Sequence, residues 1–265
     1  MFAKHDVDFL HCEIPSCEGP ECESGNAELD CNVRANKITV IVSVNNCKVR
    51  DENMVISGRI TFVGECKEYN IPGTSVLLPH ISVTFENTKI EIYQENQKIH
   101  EYEFSPKLSI SSTMSASSQN DTINFSSSLN LSGDSREKDF KQNIEQKVKI
   151  DNFIGTFNSS LNENTAEFSF SFSGRYSVRT SPEWCGDGGF EVSTIEPLKF
   201  SSEQGNDVIL CPTQGKLKIN NSELSFVGNN VKISVDGQEK TLNCSEFLNS
   251  CPYPLKGPLQ AISEE

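Results

Sequence analysis

The sequence predicts an all-β protein: a long antiparallel meander, sandwich or half-barrel, with a Cys-rich N-terminal arm and a smaller disulfide-stapled C-terminal β region. Two observations carry that prediction. The first is alternation. Through the middle of the chain apolar side chains recur at every second position against serine, threonine and asparagine, the period of a strand with one buried face. The second is the spread of ten cysteines, Cys12, Cys17, Cys22, Cys31, Cys47, Cys66, Cys185, Cys211, Cys244 and Cys251, with none between Cys66 and Cys185. An even number at loop-like spacings reads as the disulfide framework of an oxidising compartment. It staples both ends of the chain and leaves the middle to hold itself together by packing.

Residues 1–36 read as a distinct acidic arm. Glu13, Glu18, Glu21, Glu23, Glu28 and Asp30 interleave with four cysteines, and Pro15, Gly19, Pro20 and Gly25 punctuate the segment as turns. Too few apolar residues are present for a core, so order there must come from disulfides or from a docking partner. From Lys37 the pattern changes: Ile38, Val40, Val42 and Val44 alternate with Thr39, Ile41, Ser43 and Asn45. Val55–Val63 follows a polar break and predicts a hairpin, with Cys47 and Cys66 placed to clamp its open side.

Residues 37–180 form the predicted antiparallel domain. Leu108, Ile110, Met114 and Ala116 share one strand face, and Ile123, Phe125, Leu129 and Leu131 repeat the arrangement after Gln119-Asn120-Asp121. Phe168, Phe170 and Phe172 continue it opposite Ser169, Ser171 and Ser173. Between these runs, Ser135–Lys149 carries helix formers, with Phe140, Ile144 and Val148 at a spacing of four. That predicts one amphipathic helix, with a long charged strand connection as the competing reading.

Composition shifts around Ser181-Pro182-Glu183-Trp184-Cys185-Gly186-Asp187-Gly188-Gly189, so residues 181–265 are set apart as a C-terminal β subdomain with a tail. Its predicted strands are Phe190–Ile195, Val208–Leu210, Lys216–Ile219, Glu223–Val227 and Val231–Val235. Asp236-Gly237 is a hairpin turn signal, and Glu246-Phe247-Leu248 fits a short turn of helix. Gly189-Phe190-Glu191-Val192, Pro197-Leu198 and Cys211-Pro212-Thr213-Gln214-Gly215-Lys216-Leu217 together resemble a β-stretch in uncharacterised secreted proteins and lipoproteins of Gram-negative bacteria. The resemblance covers the last third of the chain and implies an exported β-rich context without an activity. This chain lacks the lipid-attachment cysteine that those lipoproteins carry at their mature start.

The formal net charge of −14 argues against nucleic acid, which demands clustered Lys and Arg, and against docking on anionic membranes. No apolar run is long enough for a transmembrane helix. Met1–Asn36 shows no basic start followed by an apolar stretch, so the expectation is an exported chain whose leader has been removed, secreted, at the cell surface or periplasmic. Asn120, Asn124, Asn130, Asn158, Asn220 and Asn243 begin Asn-x-Ser/Thr sequons, which serve as glycan acceptors in a eukaryotic secretory pathway and arise by chance in an Asn- and Ser-rich bacterial protein.

Catalytic signatures are missing. His100-Glu101-Tyr102-Glu103-Phe104 lacks the second histidine of a zinc protease, and no nucleophile elbow, phosphate loop or dinucleotide fingerprint occurs. The expectation is therefore no enzyme, no cofactor and no metal. Trp184 and Asp187 mark the best candidate binding loop, weighed against a tight turn pinned by a disulfide. The leading functional expectation is a structural subunit of an extracellular assembly or filament, self-associating through the arm and the sheet edges. The alternatives are a carrier that holds a hydrophobic ligand against the apolar face, and a glycan-binding adhesin.

Overall fold

The computed structural model describes residues 20–34, 36–50, 52–71, 74–119, 122–161, 166–200 and 212–250. The described residues contain a 13-stranded antiparallel sheet in which spatial order follows chain order from edge to edge. The strands are β1 (Cys22–Arg34), β2 (Lys37–Val49), β3 (Met54–Ile71), β4 (Thr74–Gln94), β5 (Gln97–Gln119), β6 (Thr122–Asp139), β7 (Ile144–Leu161), β8 (Ala166–Ser181), β9 (Gly188–Phe200), β10 (Gln214–Ile219), β11 (Ser222–Val227), β12 (Asn230–Val235) and β13 (Gln238–Asn243). A short helix α1 (Cys244–Asn249) follows, its Asn243 cap and Glu246 forming a reciprocal capping box. The all-β meander read from the alternation is thus the architecture of the protein.

Register converts that alternation into two sheet faces. Ile38, Val40 and Val42 stand opposite Gly64, Phe62 and Ile60. Ile60 and Phe62 meet Phe85 and Val83, which meet Leu108 and Ile110. Ile110 and Ala116 then face Leu131 and Phe125. Leu131 faces Phe153, and Phe157 faces Phe170. Directly opposed residues share a face, so this is one continuous apolar surface. The other surface carries Ser109, Ser111, Ser126, Ser128, Asn130, Asn158, Ser169 and their neighbours.

A transverse seam of register shifts crosses the ladders from β1 to β10. It passes Asn46, Asn87 and Asn152, which hold left-handed φ angles of 47°, 44° and 51°. Asparagine tolerates that region better than other non-glycine residues, and the extra residue reverses the side-chain parity of its strand. On β4, Phe85 and Ile90 therefore lie on the same face despite their odd spacing. Ring contacts Phe85–Phe104 at 4.9 Å and Phe153–Tyr176 at 6.5 Å bridge the seam and show that the apolar face runs across it.

Buried hydrophobic clusters sit near both sheet edges. One gathers Val42, Val44 and Cys47 with Ala27 and Leu29. The other gathers Leu198, Leu217, Leu224, Phe226, Val231 and Cys244, with Phe247 of α1 packed on it. Between them the apolar face is mostly half-buried, and Met114 and Phe157 are 38% and 40% exposed.

Two local expectations are corrected, the partner of Cys47 and the helix at Ser135–Lys149. Cys47 bonds Cys22 rather than facing Cys66 across a hairpin, so the disulfide ties β1 to β2. The described part of residues 1–36 contributes Cys22–Arg34 as the first strand of the sheet, and the ladder continues from β8 into β9 past Ser181. Ser135–Lys149 is a hairpin, not a helix. Asp139 caps its turn by accepting the amides of Lys141 and Gln142 at 2.8 and 2.9 Å, and Asn143 takes a left-handed φ of 56°. The helix-like spacing of Phe140, Ile144 and Val148 combined one turn residue with two members of a period-two strand. The strand expected at Val208–Leu210, the Asn120-Asp121 turn and the tail from Pro252 lie outside the described residues.

Candidate functional site

Below the seam, the strand ends of β4 to β8 carry two contrasting faces. The outer one is a lattice of ion pairs. Lys98 Nζ lies 3.0 Å from Glu91 and 2.7 Å from Glu101, while Lys89 Nζ lies 2.8 and 3.1 Å from the same carboxylates. Arg136 grips Glu145 through Nε and one terminal nitrogen, each at 2.9 Å. Bidentate geometry and shared partners make such a network stronger than isolated surface pairs.

The hydrogen bond from Lys89 is the main reason that the Glu91 carboxyl titrates far below its usual range, at about 2; burial opposes the shift, and Lys98 and Tyr93 add to it. Its folded pKa lies below the unfolded value, so the stabilisation is complete above about pH 4.5 and is lost as pH falls toward 2. Denaturant midpoints measured from pH 5 to 2 should fall steeply for the native chain, and Glu91→Gln should flatten that dependence. An unchanged slope in the variant would remove the network from the account of acid stability.

The inner face is the apolar surface, interrupted by a polar row. Ile90 stands opposite Tyr102, Tyr102 opposite Glu137, Glu137 opposite Gln146, and Gln146 opposite Thr180. One register step away, His100 stands opposite Asp139. Gln146 is 2% exposed and donates to the Thr180 hydroxyl at 3.4 Å. The Tyr102 hydroxyl bonds the Glu137 carboxyl, and the His100 and Tyr102 rings stack at 6.3 Å. Burial raises the Glu137 pKa above the ordinary carboxylate value, against the Tyr102 hydrogen bond and the field of His100. Glu137 Oε1 and His100 Nδ1 are buried without a hydrogen-bond partner. Such orphans are rare in folded proteins and mark a place that requires explanation.

Cation placement sharpens this. Lys89, Arg136, Lys138, Lys147 and Arg179 occupy the alternate positions of the same segments, in register with Glu103, Glu101, Glu145 and one another on the outer face. Apart from the imidazole of His100 and the Asp139 carboxyl opposite it, whose charge also raises the Glu137 pKa, the inner face offers Glu137 hydroxyl, amide and aliphatic neighbours.

The Trp184–Asp187 loop joins β8 to β9. Asp187 Oδ2 accepts the amides of Thr180 at 2.8 Å and Trp184 at 3.3 Å, and the Asp187 amide returns a bond to the Trp184 carbonyl. Although desolvation works the other way, those backbone bonds hold its carboxyl below the usual range. The Trp184 ring lies over Gly186, where a Cβ would fall 2.2 Å from it. One carboxylate oxygen therefore braces the turn, while Oδ1 is buried and unpartnered. Cys185 in this loop, Cys31, Cys66 and Cys244 are all disulfide-bonded, and Cys12, Cys17, Cys211 and Cys251 lie outside the described residues.

Among the described residues no group of three or more His, Cys, Asp and Glu side chains is placed to hold a metal ion. Nor is any described helix long and apolar enough to cross a membrane. Comparison with protein families, curated proteins and solved structures finds no match.

Sequence reasoning passed over Glu137 and Gln146. Their signal was present as polar residues standing where the strand period calls for apolar ones, but register was needed to bring them beside Tyr102 and Thr180.

Proposed function

We propose that this protein is an exported carrier that holds a hydrophobic chain, such as the acyl or alkyl part of an amphiphile, against the apolar face of its sheet. The observation that carries the reading is the half-exposed apolar surface of β4 to β8, flanked by buried clusters at both ends. From Leu108 to Ala116 that face extends about 27 Å along β5, room for a long chain lying parallel to the strands. Contiguous exposed apolar surface rimmed by polar groups is a mark of a binding face.

Edge chemistry favours this reading over strand-by-strand assembly. The edge strand β1 carries Glu23, Glu28 and Asp30 and two register irregularities beside Gly25. The opposite edge, β13, is 6 residues long, mostly exposed, and carries Glu239 and Lys240. Charge, bulges and brevity are the devices by which sheets block edge-to-edge addition.

A fluorescent long-chain alcohol whose emission rises in apolar surroundings should bind the purified protein and be displaced by unlabelled long-chain amphiphiles. Met114→Asp combined with Phe157→Asp should weaken uptake tenfold or more, while circular dichroism stays unchanged because both sites are substantially exposed. A protein that takes up no probe, or that sediments as a face-to-face dimer, would overturn the carrier reading.

A further inference from the structure

The polar row embedded in the apolar face calls for an occupant. A hydrophobic chain lying along β5 above the seam brings its head group down to Tyr102, Glu137 and Gln146, because the face is continuous through the Phe85–Phe104 and Phe153–Tyr176 contacts. At that point the surface changes from aliphatic and aromatic groups to hydrogen-bonding ones, with Ile90 at one end of the row and Thr180 at the other. We propose that this row is a head-group subsite selective for an ammonium-headed amphiphile, a long-chain amine or amino alcohol, with Glu137 Oε1 and the Nδ1 of a neutral, Nε2-protonated His100 receiving its N–H groups.

Three observations carry this, and it rests on the carrier reading above. Glu137 Oε1 and His100 Nδ1 are both buried and both without a partner, on adjacent strands of one face. A buried carboxylate is costly unless paired, and Lys89, Lys98, Arg136, Lys138 and Lys147 stand on the opposite face, paired there with Glu91, Glu101 and Glu145. The remaining acid on this face, Asp139, already spends Oδ1 on the amides of Lys141 and Gln142. A bound ammonium would satisfy the orphaned acceptors and bring the raised Glu137 pKa back down. A carboxylate head would meet Glu137 and Asp139 at the same place and be repelled.

The test is competitive displacement of a fluorescent long-chain alcohol, whose head is uncharged, from the full chain at pH 7 by hexadecylamine, hexadecanol and hexadecanoic acid, each below its aggregation concentration. The expected order is amine ahead of alcohol ahead of acid, with at least tenfold between the first and last. In Glu137→Gln, which keeps side-chain volume, the amine should lose tenfold or more while hexadecanol changes less than threefold. Equal displacement by all three in the native chain, or an amine preference that survives in Glu137→Gln, overturns the subsite and leaves the carrier reading standing. Absence of any probe uptake overturns both.

Discussion

Replacing Cys22 and Cys47 together by alanine is expected to cost about 3.5 kcal/mol, the loop-closure entropy released when a cross-link of this span is removed from the unfolded chain. The bond spans 25 residues and joins the edge strand β1 to β2. Cys47 is fully buried beside Val42, Val44 and Leu29, so its loss also loosens the first hydrophobic cluster. The damage should be local. Among the described residues β1 pairs with β2 alone, and Cys31 carries a second disulfide farther along the strand. Hydrogen exchange followed by mass spectrometry should therefore show faster exchange over Cys22–Leu29, with β5 to β7 unaltered. Uniform acceleration across the sheet, or none anywhere, would refute the view that this bond pins an edge.

The second large effect concerns the seam. Gly133 holds a φ of +130°, and a Cβ there would fall 2.1 Å from the Lys107 carbonyl oxygen and 2.6 Å from the Leu108 Cα. Both obstacles are backbone of the neighbouring strand and cannot swing aside as a side chain would. Gly133→Ala should cost roughly 3 kcal/mol, at the upper end of what a strained φ/ψ position costs. For a chain of this size that corresponds to a fall of about 6–12 °C in the melting temperature. Ala116→Gly, off the seam on the same face, is the control and should cost about 1 kcal/mol. Equal effects in the two variants would show that the seam imposes no special constraint.

The alternation that made the meander legible also explains where legibility stopped. Leu108, Ile110, Phe168, Phe170 and Phe172 advertise their strands because each run keeps one parity between turns. On β2, β4 and β7 the parity reverses at Asn46, Asn87 and Asn152, and a bulge of one residue leaves little trace in composition. The hairpin at Ser135–Lys149 was masked for a different reason. Asp139 and Asn143 are turn residues by chemistry, yet the charged helix formers around them outweighed that signal. The Cys47 pairing was hidden because pairing depends on which strands become neighbours, which spacing does not encode. The polar row was hidden for a related reason. Tyr102, Glu137, Gln146 and Thr180 come from separate strands, and only the registers fixed by the intervening turns align them. The Trp184–Asp187 loop was visible from its glycines, whereas the work of Asp187 as a brace for two amides required geometry.

The order of the sheet, each strand beside its predecessor, has a consequence for how the protein comes apart. Among the described residues every strand pairs with its one or two sequence neighbours, as in a row of coupled units, so stability approximates a sum of nearest-neighbour terms. Opening can then begin at either border and travel inward without crossing a common centre. The clusters at β1–β2 and β9–β12, with a disulfide reinforcing the first and α1 capping the second, act as end-stops on that process. They protect the middle strands from fraying, and among the described residues no helix or second sheet packs on the apolar surface between them. A sheet fastened at its margins can hold its centre open.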